Sequence, residues 1–108
     1  MKNLVLKRST VDNYLKIRKR EKKLGINLLK EELAKATMDE TLVCILCDFV
    51  ATCEQTCTLL REAEKNSTLE EPIPVSPANV TALKLLSAAI STIRRIVVKN
   101  YNLSLQIH

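Results

Sequence analysis

The sequence predicts a mainly α protein. A basic N-terminal helix precedes a long antiparallel helical hairpin, and a short C-terminal β-strand follows it. Three observations point there. One Gly and three Pro in 108 residues are too few turn formers for an all-β fold. Two long stretches repeat their apolar residues at helical spacing, and strict alternation occurs only at the end of the chain. Finally, 46% hydrophobic and 27% charged residues make a globular rather than a disordered balance, enough for one modest core.

The elements follow in order. Leu4 and Leu6 lie on one side of a short strand in residues 3–7. Ser9-Thr10-Val11-Asp12 reads as a helix start, with a hydroxyl to accept a free amide and an acid at the positive helix end. That helix should run to about Leu24. Gly25 tolerates a left-handed cap, and Asn27 then opens a short second helix through about Lys35. Thr37-Met38-Asp39-Glu40 is a capping-box pattern opening a helix over residues 38–65. On it Leu42, Leu46, Phe49, Val50, Cys53, Cys57 and Leu60 share a face about 100° wide. Residues 66–76 hold two prolines and Glu70-Glu71 without a period, and read as a loop. Ser76-Pro77 joins a capping residue to proline at the first helical position, starting a helix that ends near Lys99.

In this last helix Leu83, Leu86, Ile90, Ile93 and Val97 recur at intervals of 3, 4, 3 and 4, a helix-packing seam. Ala82, Leu85, Ala89 and Ile96 widen it. One short chain can hardly bury a stripe so wide, so the seam predicts self-association. Beyond it Tyr101, Leu103, Leu105 and Ile107 alternate with Asn102, Ser104, Gln106 and His108, a strand signal. A strand needs a partner: residues 3–7, or the same strand of another subunit. Leu103 and Leu105 therefore join the predicted oligomer interface.

Charge divides the chain. Residues 1–36 hold 11 Lys/Arg against 4 Asp/Glu, a net of +7; residues 37–108 hold 6 against 8, a net of −2. This marks a basic N-terminal segment, 1–36, and a hairpin core, 37–108, within one domain. Lys16, Arg18, Lys19, Arg20, Lys22 and Lys23 crowd two helical turns, with Lys7 and Arg8 ahead of them. So many cations repel one another unless a polyanion or an acidic protein neutralises them. These eight residues are the candidate nucleic-acid contacts. With Tyr14, Phe49 and Tyr101 as the only aromatics, base stacking has little material, and contact with duplex phosphates fits better. Bulky apolar residues opposite the charges, which a membrane-surface helix needs, are missing. No signal peptide or spanning stretch is expected, which predicts a cytoplasmic protein.

The remaining chemistry is sparse. Cys44 and Cys47 have metal-ligand spacing, and Cys53 and Cys57 add two sulfurs. On one helix, however, the first pair points roughly opposite to the second, and four ligands of one ion cannot come from both sides of a rod. The single histidine is His108. No Gly-rich phosphate loop and no nucleophile with an evident base is present. The expectation is a non-enzymatic protein without a cofactor.

Residues 39–104 resemble the small terminase subunits of tailed bacteriophages, of the compact type without an obvious helix-turn-helix. The pattern starts at the acidic opening Asp39-Glu40. It includes a helix ending in Leu60-Arg61-Glu62-Ala63-Glu64, a proline-containing loop and a helix from Ser76-Pro77-Ala78-Asn79 to Tyr101-Asn102-Leu103-Ser104. The glycine usual in that closing segment and a Pro/Arg-rich tail are missing. The resemblance implies a ring-forming subunit for viral DNA packaging. Such a subunit binds double-stranded DNA and regulates a large terminase subunit. The alternative is a small viral or plasmid interaction module whose basic helix docks on an acidic protein.

Overall fold

The computed structural model describes residues 4–65 and 72–101. Three long helices and a two-stranded sheet make up the fold: β1 (Leu4–Leu6), α1 (Arg8–Leu33), α2 (Glu40–Lys65), β2 (Ile73–Val75) and α3 (Pro77–Tyr101). The chain is mainly α, as its periodicity predicts.

Helix α1 runs through Gly25 and Asn27, where the sequence suggested a break. The glycine serves close packing instead of capping. It is buried against α2, and a Cβ at this position would meet Val50 Cγ2 at 2.9 Å. A glycine inside a helix costs about 1 kcal/mol relative to alanine; here it lets two helices approach closely. The helix cap falls two residues earlier than predicted. Lys7 is the N-cap, in extended conformation and without a side-chain cap bond, so Ser9 does not have that role.

Helix α2 starts as a capped helix, but with Asp39 as acceptor. Its Oδ1 takes the Leu42 amide at 3.1 Å, displacing Thr37 from the predicted role. Every residue of the predicted face except half-buried Val50 is buried. Helix α3 opens as expected, with Ser76 Oγ accepting from the Asn79 amide at 3.2 Å.

The sheet differs from the prediction. β1 pairs antiparallel with β2, Leu4 opposite Val75, Val5 opposite Pro74 and Leu6 opposite Ile73. β2 lies in the stretch that reads as a loop. Three residues are too few to show a period, and a central proline argues against a strand, although an edge position tolerates it. Ile73 and Val75 are buried and Pro74 is exposed, the alternation of a strand with one face on the core. The predicted C-terminal strand falls outside the described residues from 102 onward; Tyr101 itself is the last residue of α3.

Helix α2 is central, and α1 and α3 flank it, each antiparallel to it. Gly25 meets Val50, Lys22 meets Glu54 and Arg8 meets Glu64 along one flank. Phe49 and Cys53 pack with Ile90, and Leu42 and Leu46 with Val97, along the other. The bundle measures 51 × 23 × 19 Å. Its sheet end closes over Val11, Leu15, Cys57, Leu60, Ala63, Ile73 and Val75. At the far end Leu28 joins Leu42, Leu46 and Val97. Helix α2 also has the length and composition of a membrane-crossing helix, with an 18-residue window of mean hydropathy 1.5. No spanning stretch was expected from the sequence. In this fold the most apolar side of α2 is the core of the bundle.

Candidate nucleic-acid interface

The helical turn of α1 sorts its cations by where they point. Val11, Leu15, Arg18, Glu21, Gly25, Leu28 and Glu32 are buried. At about 100° per residue, Lys16, Lys19, Arg20, Lys23, Asn27 and Lys30 all fall within about 100° on the opposite side. All six are exposed. From Lys16 to Lys30 the row is about 21 Å long. None of its cations makes an ion pair with a described residue. Asp12 lies along the same side, N-terminal to the row.

The eight cations predicted from sequence therefore divide. Lys7, Lys16, Lys19, Arg20 and Lys23 face solvent. Arg8, Arg18 and Lys22 are engaged with acids of the bundle. Arg8 Nη1 lies 3.7 Å from Glu64 Oε2. Lys22 Nζ donates to Glu54 Oε2 at 2.6 Å, and this bond holds the Glu54 carboxyl below the usual carboxylate range.

Arg18 is withdrawn from the surface, 6% exposed, and donates to Glu21. Glu21 is itself 3% exposed and also accepts from Arg94 Nη1 at 3.2 Å. Arg18 Cζ sits 6.0 Å from the centre of the Tyr14 ring. Arg18 is thus a structural cation between helices and not a phosphate contact. Lys30, outside the eight predicted cations, completes the exposed row. The signal for it was present: it lies seven residues after Lys23, on the same side of one continuous helix. The predicted break at Gly25 concealed it.

The predicted oligomer seam also divides. Ile90 and Val97 are each 1% exposed and belong to the core of the single chain; Leu83 and Ile93 pack on that core from half-buried positions. These positions are taken up mostly within one chain, because α2 supplies the second surface. The flank beside them is open. Leu85 is 67% exposed and, with Leu86, Ala82 and Leu59, lines a groove of about 550 Å³ between α2 and α3. Leu103 and Leu105 lie outside the described residues.

The thiols fall as the helical turn requires. Cys44 and Cys47 are exposed; Cys53 and Cys57 are buried. Among the described residues no group of three or more His, Cys, Asp or Glu is placed to hold a metal ion. Burial, reinforced by the Glu21 charge, pushes the Cys53 thiol up to about 12, and burial raises Cys57 as well. Both stay protonated at neutral pH and are poor nucleophiles.

A second polar cluster fixes the far end of the bundle. Buried Glu32 accepts from Lys35 Nζ at 2.8 Å, from the Asp39 amide at 3.0 Å and from Tyr101 Oη at 2.9 Å. These bonds hold its carboxyl down to about 2. The cluster ties the end of α1, the start of α2 and the end of α3 together. It explains why α1 keeps its register on α2 and so keeps the cation row turned outward. No known protein family, curated protein or solved structure matches this chain.

Proposed function

We propose that this protein is a non-enzymatic, double-stranded-DNA-binding subunit that works as a homo-oligomer. One observation carries the reading: Lys16, Lys19, Arg20, Lys23 and Lys30 form an exposed row on the side of α1 away from the bundle, with no ion pair to any described residue. A row of cations about 21 Å long on a rigid helix matches a phosphate backbone in charge and reach. It offers little for reading base edges, so the expected binding is strong in salt dependence and weak in sequence preference. The open groove at Leu59, Leu85 and Leu86 supports self-association through the outer flank of α3. Genome packaging, with a large terminase subunit as second partner, is the setting that the terminase resemblance proposes.

The test is fluorescence anisotropy with a labelled duplex across a series of KCl concentrations. Lys16→Ala, Arg20→Ala and Lys23→Ala together should lower the slope of log affinity against log salt by about 3, roughly 0.9 for each phosphate no longer neutralised. Circular dichroism should be unchanged, since all three side chains are exposed. An unchanged slope would defeat the DNA reading. A monomeric native mass at working concentration would remove the homo-oligomer from it.

A further inference from the structure

We infer that α3 carries a second row of phosphate-binding cations, and that one duplex lies against α1 and α3 together. This rests on the DNA reading of α1 and extends it to residues that no sequence motif marks. Helix α3 has four cations, Lys84, Arg94, Arg95 and Lys99, and no acid in 25 residues. Central α2 has five acids against two cations. The basic charge of the bundle therefore lies on its two flanking helices, and a polyanion is attracted to them and repelled by α2.

The register of the two helices places their cations at the same level along the bundle. Arg94 reaches Glu21, and Tyr101 reaches the Leu28 carbonyl; both interactions join residues 73 apart. Helices α1 and α3 thus run parallel with a constant offset. Arg95 stands level with Lys22 and Lys99 with Ile26, alongside the Arg20, Lys23 and Lys30 stretch of the α1 row. Arg94 is held by Glu21, but Lys84, Arg95 and Lys99 are exposed. They lie within about 60° of one another, opposite buried Ile90 and Val97, as the α1 row lies opposite its own buried face. Both rows face away from α2. Arg94, Arg95, Lys99 and Ser91 also line a concavity of about 440 Å³, with guanidinium, ammonium and hydroxyl donors for phosphate oxygens.

The experiment compares three forms of the full chain with a labelled duplex over a KCl series. These are the wild type, the α1 variant Lys16→Ala/Arg20→Ala/Lys23→Ala and the α3 variant Arg95→Ala/Lys99→Ala. The α3 variant should lower the salt slope by about 2, the α1 variant by about 3. Arg95→Lys with Lys99→Arg should keep the wild-type slope, because charge and not side-chain shape is required. An α3 variant with wild-type slope and affinity, beside an α1 variant that binds weakly, would overturn the second row and leave the α1 reading standing. A wild type that does not bind the duplex would overturn both.

Discussion

The two helices that flank α2 are nearly equal in length and are held to it by different forces. Helix α3 offers apolar surface: Ile90, Ile93 and Val97 fill the middle and far end of the core. Helix α1 offers charge in the middle of its length. Phe49, Cys53 and Ile90 form the central apolar cluster without any α1 side chain. At that level α1 contributes Arg18, Glu21 and Gly25 instead. Arg8–Glu64, Lys22–Glu54 and Glu21–Arg94 then fasten it to its neighbours. Burial of area is non-directional and tolerates small shifts. Buried charge contributes little net energy but penalises any register that leaves a partner unpaired. So α3 is held by area, and α1 is held in one rotational setting by placed charge. That setting is what turns the cation row outward.

The largest expected effect separates these two kinds of attachment. Glu21→Gln leaves Arg18 buried without its counter-charge and should cost about 3–5 kcal/mol. Exchanging both, Arg18→Met with Glu21→Leu, should recover most of that loss, since an apolar pair of similar volume removes the unpaired charge. Ile90→Ala on the α3 side should cost about 2–5 kcal/mol by cavity formation, with no comparable rescue by a second substitution. Urea denaturation at neutral pH measures all three. A Glu21→Gln loss under about 1 kcal/mol, within the range of exposed pairs, would mean that the buried charges do not hold α1.

A smaller effect tests the close approach at Gly25. Alanine here should cost about 1–3 kcal/mol by overpacking against Val50 and return about 1 kcal/mol of helix propensity, a net loss of about 1 kcal/mol. Val50→Ala makes room for the added methyl. The double variant should therefore show a favourable coupling in a double-mutant cycle. Independent, additive losses would indicate that Gly25 is required for something other than proximity to Val50.

The comparison also explains what could be read from the sequence. Helices α2 and α3 were legible because area burial leaves a period: Leu42, Leu46, Phe49 and Leu60, then Leu83, Ile90 and Val97, repeat at helical spacing. Helix α1 was half legible. Its buried face includes Arg18, Glu21 and Glu32, which a hydrophobic pattern counts as surface, and its mid-helix glycine looks like a stop. Nothing local shows that Arg18 has a counter-ion on its own helix and that Glu21 is shared with a helix 73 residues away. The pairing of β1 with Ile73–Val75 escaped for another reason: a three-residue strand is defined by its partner and not by its own sequence. Of the eight cations singled out from the sequence, the charge pattern could not show which face outward, because that depends on how the helix is rotated against α2.

The smallest effect sharpens the same contrast through pH. Glu32 is held at about 2, against an ordinary 4.5, by the Lys35, Asp39 and Tyr101 bonds. Its folded value lies below its unfolded one, so its contribution is fully present above about pH 4.5 and is lost as pH falls toward 2. Glu54, lowered by Lys22, has the same sign. Glu64, raised by burial and the neighbouring Asp12 carboxyl, has the opposite sign and offsets part of the acid loss. Tyr101 is pushed up to about 12 by burial and the Glu32 charge, so its contribution is present below pH 10 and lost above it. Urea midpoints should therefore fall on the acid side, and Glu32→Gln should flatten that fall. Tyr101→Phe should cost about 0.5–1.5 kcal/mol at neutral pH, one hydrogen bond to a carboxylate that keeps its other donors. It should also remove part of the alkaline loss. Ile90→Ala, which opens space beside Phe49, Cys53 and Ile93, should lower stability without changing the shape of the acid limb. If Glu32→Gln keeps the wild-type acid limb, the polar cluster at the end of α1 does not set its register, and the outward turn of the cation row must come from Arg18 and Glu21 alone.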